Sequence, residues 1–103
     1  LYKVEGKDVF INLPITPWEA ALGGKVKVPT LGGKVDLNIG AGARSGQKLR
    51  LKGRGLPVAG EPPGDQFAVL QIMAPPADDA DRKALYEKMA REMPFNPRAQ
   101  MGG

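Results

Sequence analysis

The sequence predicts a mainly β fold, namely a small antiparallel β-sandwich with a short helical turn, followed by a C-terminal helix. Three observations predict this class. Short runs along the first two-thirds of the 103-residue chain alternate between apolar and polar residues, which is typical of half-buried strands. Segments rich in glycine and proline separate these runs. The alternation stops at Pro75-Pro76, and a helical pattern follows it.

The first half of the chain predicts a strand, a helical turn and a hairpin. Residues 8–15 place valine, isoleucine and leucine at every second position and form the first predicted strand. Thr16 and Pro17 suit the N-cap and first position of a short helix, which the following Gly-Gly pair can end. Alternating runs at 25–28 and 34–39 flank a glycine-rich turn, so they predict a β-hairpin.

Two further strands are predicted in the second half of the chain. The first carries Leu49 and Leu51 on its inner side, between outward basic residues. A loop must follow over residues 53–64, because this stretch contains four glycines and three prolines. Residues 66–74 are apolar at both even and odd positions, which predicts a strand that is covered on both faces.

A helix is predicted over residues 78–93. Acidic residues at its start suit the helix dipole, and an apolar stripe runs along one side. The stripe is formed by Leu85, Tyr86, Met89 and Met93. The predicted domains are the sandwich at 1–76, the helix at 77–94 and a flexible tail at 95–103. The stripe either completes the core of its own chain or pairs with a second chain.

Composition indicates one globular domain that is not an enzyme. Hydrophobic residues make up 42% and charged residues 25% of the chain, which is ordinary for such a domain. The chain has no cysteine and no histidine, so disulfides and the commonest metal ligands are excluded, and Ser45 has no histidine to activate it. We therefore expect no cofactor and no metal. No apolar run suits a membrane span, and the start at Leu1 suggests a fragment of a longer protein.

The net charge of +4 is unevenly distributed along the chain. Eight cations against one aspartate lie between residues 23 and 56, whereas acidic residues outnumber basic ones after residue 60. The candidate DNA-binding residues are Lys25, Lys27, Lys48, Arg50, Lys52 and Arg54. If the two strands that carry most of them are neighbours, five cations share one sheet face and can follow a phosphate backbone. The alternative is a solvated face whose lysines prevent edge pairing.

Aromatic residues contribute little to these expectations. No platform of exposed aromatic side chains is evident, so recognition of single strands or of base sequence is not expected. Trp18 lies in the short helical turn among small and apolar neighbours. We expect it to be a buried plug at one end of the sandwich; the alternative is an exposed contact for a client peptide.

Several motifs keep a fixed order along the chain. They include Pro17-Trp18-Glu19-Ala20-Ala21-Leu22-Gly23, Val28-Pro29-Thr30-Leu31, Gly53-Arg54-Gly55-Leu56-Pro57, Gly64-Asp65 and Phe95-Asn96-Pro97-Arg98. In order and spacing, this set resembles the second C-terminal β-domain of DnaJ-type co-chaperones. Within that family, it is most similar to the bacterial branch that binds curved DNA.

The resemblance implies a C-terminal assembly and client-support domain. Its implied partners are unfolded client proteins, double-stranded DNA, a second copy bound through the C-terminal helix, and a DnaK-type chaperone contacted through domains that this chain lacks. It also implies a cytoplasmic, nucleoid-associated location and no membrane partner. The alternative is a nucleoid-associated module whose main role is to bind curved DNA through phosphate contacts.

Overall fold

The structure is a computed structural model that describes residues 2–102, and it confirms the mainly β fold class. Its elements are β1 (Tyr2–Glu5), β2 (Asp8–Ile15), α1 (Pro17–Leu22), β3 (Gly24–Thr30), β4 (Gly33–Ile39), β5 (Lys48–Leu51), β6 (Gln66–Ile72), α2 (Ala80–Glu92) and a 3-10 helix at Ala99–Met101. The predicted strands, the helical turn and the C-terminal helix are all present. Strand β1 is an addition, because its four residues are too few to show an alternating pattern.

The strands form a four-stranded sheet, in the order β1-β2-β6-β5, and a two-stranded sheet of β3 and β4. The second sheet is the predicted hairpin. Neighbouring strands are antiparallel except for β2 and β6, which run parallel at the centre of the larger sheet. Alternation within a strand does not show the direction of its neighbour, so the sequence could not predict this parallel pair.

One hydrophobic core joins the two sheets. The alternating residues of β2 face inwards as predicted, and they pack with residues of β6 and of the hairpin. The buried cluster consists of Ile11, Leu13, Ile15, Ala20, Val28, Ile39, Ala68 and Leu70. Because both sheets contribute to this core, their outer faces point away from each other.

Helix α1 begins with a capping box. The Thr16 hydroxyl accepts a hydrogen bond from the Glu19 backbone N–H at 3.1 Å, and the Glu19 carboxylate accepts one from the Thr16 N–H at 2.9 Å. Pro17 occupies the first helical turn, and Gly23 follows the helix with a φ of 81°. These contacts confirm the predicted start and end of the helix.

The loop between β5 and β6 is fastened to the larger sheet by Asp65. Its carboxylate accepts hydrogen bonds from the Gly53 N–H at 2.8 Å and from Arg50 Nε at 2.7 Å. The hydrogen bond from Gly53, aided by the Arg50 charge, holds the pKa of Asp65 below its ordinary value. Gly64 packs so closely on Lys7 that a Cβ there would lie 1.9 Å from the Lys7 carbonyl oxygen. The loop is therefore part of the scaffold.

Helix α2 lies outside the core. It begins after Asp79, whose side chain caps the helix by accepting a hydrogen bond from the Arg82 N–H at 2.7 Å, and none of its residues from Ala80 to Glu92 is buried. Tyr86 is half-buried and donates a hydrogen bond to the Pro75 carbonyl oxygen. The alternative in which this helix completes the core of its own chain is therefore wrong.

Candidate functional site

The first group of candidate basic residues lies on the β3–β4 hairpin. Lys25 and Lys27 are paired in register with Asn38 and Asp36, and their side chains are exposed on the outer side of the hairpin. Lys27 Nζ lies 3.0 Å from Asp36 Oδ1. This hydrogen bond and the charge of Lys27 lower the pKa of Asp36. We call the surface formed by Lys25, Lys27 and Lys34 the hairpin face.

The second group lies on the four-stranded sheet. Lys48 and Arg50 of β5 are opposite Val69 and Phe67 of β6, so they lie on the outer side of this sheet, away from the core. Lys3 of β1 is opposite Phe10 of β2 on the same side. We call the surface formed by Lys3, Phe10, Lys48, Arg50, Phe67 and Val69 the sheet face.

Two candidates lie at the margins of these faces. Lys52 follows the end of β5 and contributes to the positive potential at Asp65. The Arg54 guanidinium lies beside Gly32 in the turn of the hairpin. Arg54 therefore extends from the loop of the larger sheet to the smaller sheet.

The expectation that five cations share one sheet face is wrong. It required β3 and β5 to be neighbours, but β3 pairs with β4 and β5 pairs with β6. Lys25 and Lys27 therefore lie on the hairpin face, while Lys48 and Arg50 lie on the opposite side of the domain. The chain has two smaller basic surfaces in place of one large one.

An aromatic pair lies among the cations of the sheet face. The rings of Phe10 and Phe67 are stacked, with centroids 5.0 Å apart and planes at 17°. Both side chains are half-buried, and Lys48 Nζ lies over the Phe10 ring, 5.5 Å from its centroid. Both rings are half-buried, so they do not contradict the expectation that no platform of exposed aromatic side chains is present, but an aromatic pair does lie among the cations of this face. The outward position of Phe10 follows from the alternation of β2. The expectation that residues 66–74 are covered on both faces is wrong, because Phe67 and Val69 are only half-buried on the outer side of β6. The contact between the two rings depends on the parallel pairing of β2 and β6.

Trp18 is exposed, so the prediction of a buried plug is wrong. The side chain retains 56% of its accessible surface, and Ala20 is the residue that α1 buries. Trp18 lines an apolar groove of about 1050 Å³, which also includes the end of the chain after β6 and one side of α2. A helix of six residues can turn only one side to the core. That side carries Ala20, so Trp18 lies on the outside.

The predicted apolar stripe of α2 forms the other wall of this groove. Leu85, Tyr86 and Met89 line it, and Leu85 and Met89 retain 66% and 48% of their accessible surface. Met93 is also exposed and lies beyond the groove, at the end of the helix. The structure thus brings the stripe together with Trp18 in one continuous apolar surface.

Other kinds of site are not evident in the described part of the chain. Between residues 2 and 102, no three carboxylate, imidazole or thiol side chains are placed to hold a metal ion. None of the helices in the same range is long and apolar enough to cross a bilayer.

The fold and these surfaces define a β-sandwich domain with two basic outer faces and a C-terminal helix that carries an exposed apolar stripe. The family described as the DnaJ C terminal domain matches residues 1–75, and the chain belongs to this family.

Known relatives that are similar to this chain in sequence have the same name as one another. The Curved DNA-binding protein of Coxiella burnetii (strain Dugway 5J108-111) is 57% identical over 103 residues, which are 100% of this chain and 32% of that protein. The proteins of the same name from Pseudomonas putida (strain W619) and Pseudomonas syringae pv. tomato (strain DC3000) are 46% and 45% identical, over 97% and 100% of this chain and 32% and 33% of those proteins. The chain therefore spans about a third of the length of these relatives.

Proposed function

We propose that this chain is the C-terminal assembly and client-support domain of a DnaJ-type co-chaperone that binds unfolded protein and double-stranded DNA, and that it is not an enzyme. In this proposal, residues 1–76 form the β-domain, 77–94 form a dimerisation helix and 95–103 form a tail. A DnaK-type chaperone would be contacted by other parts of the whole protein, in the cytoplasm and at the nucleoid. Family membership and the names of the relatives support this assignment.

The observation that carries the assembly role is the exposed apolar stripe of α2. An amphipathic helix gains its stability mainly by packing its apolar side against a partner surface. In this chain α2 buries none of its residues, and three of the four residues of the stripe, namely Leu85, Met89 and Met93, remain exposed. A second copy offers an identical stripe and an identical Trp18 groove, and one patch that meets itself closes a two-fold symmetric dimer. The methionines of the stripe suit such a contact because their side chains adapt to a partner.

Sedimentation equilibrium of the chain tests this assembly role. We expect a dimer at tens of micromolar protein, and a concentration-dependent return to monomer on dilution. A chain that stays monomeric over the whole range would contradict the assembly role, whatever its affinity for DNA.

The DNA-binding role rests on the two basic faces. On the hairpin face, Lys25 and Lys34 take part in none of the ion pairs found between residues 2 and 102. Lys27, in contrast, forms an ion pair with Asp36. Cations on a strand surface can neutralise phosphates without reading bases. A dimer would carry each face twice, and the linked second contact would raise the overall affinity.

A titration of duplex DNA at low and moderate salt tests this role. Replacing Lys25 and Lys34 with Gln should flatten the salt dependence of binding by about 0.9 per lost phosphate contact, similarly for every duplex sequence. The variant Lys48→Gln with Lys52→Gln tests the other side of the domain. A matched control replaces Lys83 and Lys88 of α2, which removes the same charge from the helix.

The comparison among these variants decides the DNA-binding role. If both β-domain variants retain the affinity and salt slope of the parent while remaining folded, their lysines are solubilising charge and this role fails. If the α2 control loses as much as the β-domain variants, binding follows net charge alone, which also contradicts contacts at the basic faces.

A further inference from the structure

We propose that the sheet face binds single-stranded nucleic acid, with bases packing on Phe10 and Phe67 and phosphates contacting Lys3, Lys48 and Arg50. This inference goes beyond the duplex contacts proposed above, because it assigns a different ligand to the sheet face and adds Lys3, Phe10 and Phe67, which have no part in those contacts. It rests on the arrangement of aromatic and basic side chains across the four-stranded sheet.

The aromatic residues occupy the centre of this sheet. β2 and β6 are its two middle strands, and Phe10 and Phe67 are direct partners in their register. Residues paired in this way project to the same side of a sheet, so the two rings meet on the outer side, where they stack. Both remain accessible in part, which leaves ring surface for a ligand.

Cations lie on both sides of the aromatic pair. The strand pairings place Lys3 on β1 next to Phe10, and Arg50 on β5 next to Phe67. One row across the sheet therefore contains a cation, two aromatic rings and a second cation. Three strand spacings separate its ends, about 14 Å. An extended ligand that crosses the sheet can contact both cations while its middle lies on the rings.

The cations also keep groups free for a ligand. Arg50 uses Nε to bind Asp65, and its side chain is still 58% exposed, so its terminal nitrogens can donate to a phosphate. Lys48 Nζ lies over the Phe10 ring, where it adds positive potential next to the aromatic pair. A cavity of about 360 Å³ opens beside the pair, between β1 and β5, and Asn12 lines it together with Lys3 and Lys48. The exposed side-chain amide of Asn12 can form a hydrogen bond with the edge of a base.

Acidic residues mark one end of this surface. Glu5 and Asp8 are partners in the pairing of β1 with β2, two residues beyond Lys3 and Phe10 along those strands and therefore on the same side of the sheet, and Glu5 also lines the cavity. A polyanion is therefore repelled from this end and attracted to the row of cations. This gradient favours a strand that runs across the sheet over one that runs along it.

A single strand uses this surface better than a duplex does. In a duplex the faces of the bases are stacked on one another, so the aromatic rings gain no base contact. In a single strand the bases are free to stack on aromatic side chains while a positively charged groove holds the backbone. One common RNA-binding module is a four-stranded sheet whose aromatic side chains stack two or three bases of single-stranded RNA in this way.

The test measures fluorescence anisotropy of a short labelled oligothymidine, an abasic oligonucleotide of equal length and a duplex. We expect the parent chain to bind the oligothymidine more tightly than the abasic strand, because both carry the same phosphates but only the first has bases. Replacing Phe10 and Phe67 with Leu should lower the affinity for oligothymidine by about 5- to 150-fold for each lost stacking contact. Affinity for the abasic strand should not change.

Three further variants keep the result interpretable. Phe95→Leu is the matched control, since this phenylalanine is exposed outside the sheet and its loss should have no effect. Phe10→Tyr retains a ring and should bind oligothymidine like the parent. Should the double Leu variant not fold, Lys3→Gln with Lys48→Gln leaves both rings in place. It should flatten the salt slope for oligothymidine by about 0.7 for each lost contact.

Several results would overturn the inference. Equal affinity for the oligothymidine and the abasic strand would show that the bases make no contact. Displacement of the oligothymidine by polyglutamate of equal charge, as effective as by unlabelled oligothymidine, would indicate a general polyanion or acidic peptide surface. Duplex binding that falls in parallel with oligothymidine binding in the Leu variant would show that the rings only support the fold. Duplex binding through the hairpin face uses other residues, so its test can succeed or fail whatever the outcome for oligothymidine.

Discussion

The dimer proposal makes a sharp prediction for Leu85→Ala, which should weaken association without weakening the fold. Leu85 retains 66% of its accessible surface in the single chain, and it lies on a helix that contributes nothing to the core. Truncation of this side chain should therefore cost little stability within one chain, but it should remove apolar contact from the dimer interface.

The size of the effect follows from this exposure. Truncation of leucine to alanine removes three carbon atoms, each worth about 0.8 kcal/mol when it is transferred from water to an apolar contact. With two-thirds of the side chain exposed before association, the loss is about 1.6 kcal/mol for each chain. A symmetric interface contains the residue twice, so the dimer loses about 3 kcal/mol, or roughly 200-fold in its dissociation constant.

Sedimentation equilibrium over a range of concentrations measures this dissociation constant. Lys83→Ala is the matched control, because residue 83 lies about half a turn around α2 from residue 85 and is exposed. Urea unfolding at a concentration where the chain is monomeric should give the same free energy for Leu85→Ala and the parent, since association otherwise adds to the apparent stability. An unchanged dissociation constant, or a loss of monomer stability as large as the loss of association, would refute the reasoning.

Three further predictions concern the fold and the groove. Trp18→Ala should reduce the free energy of unfolding of the monomer by less than about 2 kcal/mol, because the side chain is largely exposed, and should also weaken the dimer; a loss of 3–5 kcal/mol in urea unfolding, typical of a buried aromatic, would contradict this. Gly64→Ala should cost about 3 kcal/mol or more in the same assay, since its Cβ would meet the Lys7 carbonyl oxygen, whereas Gly40→Ala has no atom in its way and should have little effect. Asp65→Asn should destabilise the chain at neutral pH but much less in acid. The pKa of Asp65 is lowered in the folded chain. The stability that its ionised carboxylate contributes is therefore present above the ordinary pKa of about 3.9 and is lost as the pH falls through the lower folded value. A difference in the free energy of unfolding between the variant and the parent that is constant from neutral to acidic pH would exclude this.

Much of the fold could be predicted because it depends on local rules. The inward residues of β2 follow from strict alternation, and the start of α1 follows from Thr16 and Pro17, whose side chains act on neighbouring backbone groups. The hairpin follows from two alternating runs joined by a short turn. In each case the cause and its effect lie within a few residues of one another.

The arrangement of the candidate site could not be predicted because it depends on distant pairings. Alternation correctly predicts that Lys27 and Arg50 point outwards, yet nothing local determines that their strands belong to different sheets. The contact between Phe10 and Phe67 joins residues that are far apart in the sequence, and it exists only because β2 and β6 pair in parallel. The prediction for Trp18 is wrong for a related reason, since the side of α1 that faces the core is set by the position of the whole helix.

The separation of the surfaces explains how one small domain can combine assembly with binding. α2 follows Pro75-Pro76 and lies outside the core, and the apolar groove uses α1, α2 and the chain that joins α2 to β6. Neither the hairpin face nor the sheet face contributes residues to this groove. Pairing of two chains through α2 would therefore cover neither basic face and would carry both in duplicate. A variant that is monomeric because its apolar contact is removed should accordingly keep the intrinsic affinity of each face for a short nucleic acid. It should lose the added affinity for ligands that are long enough to reach both chains of a dimer.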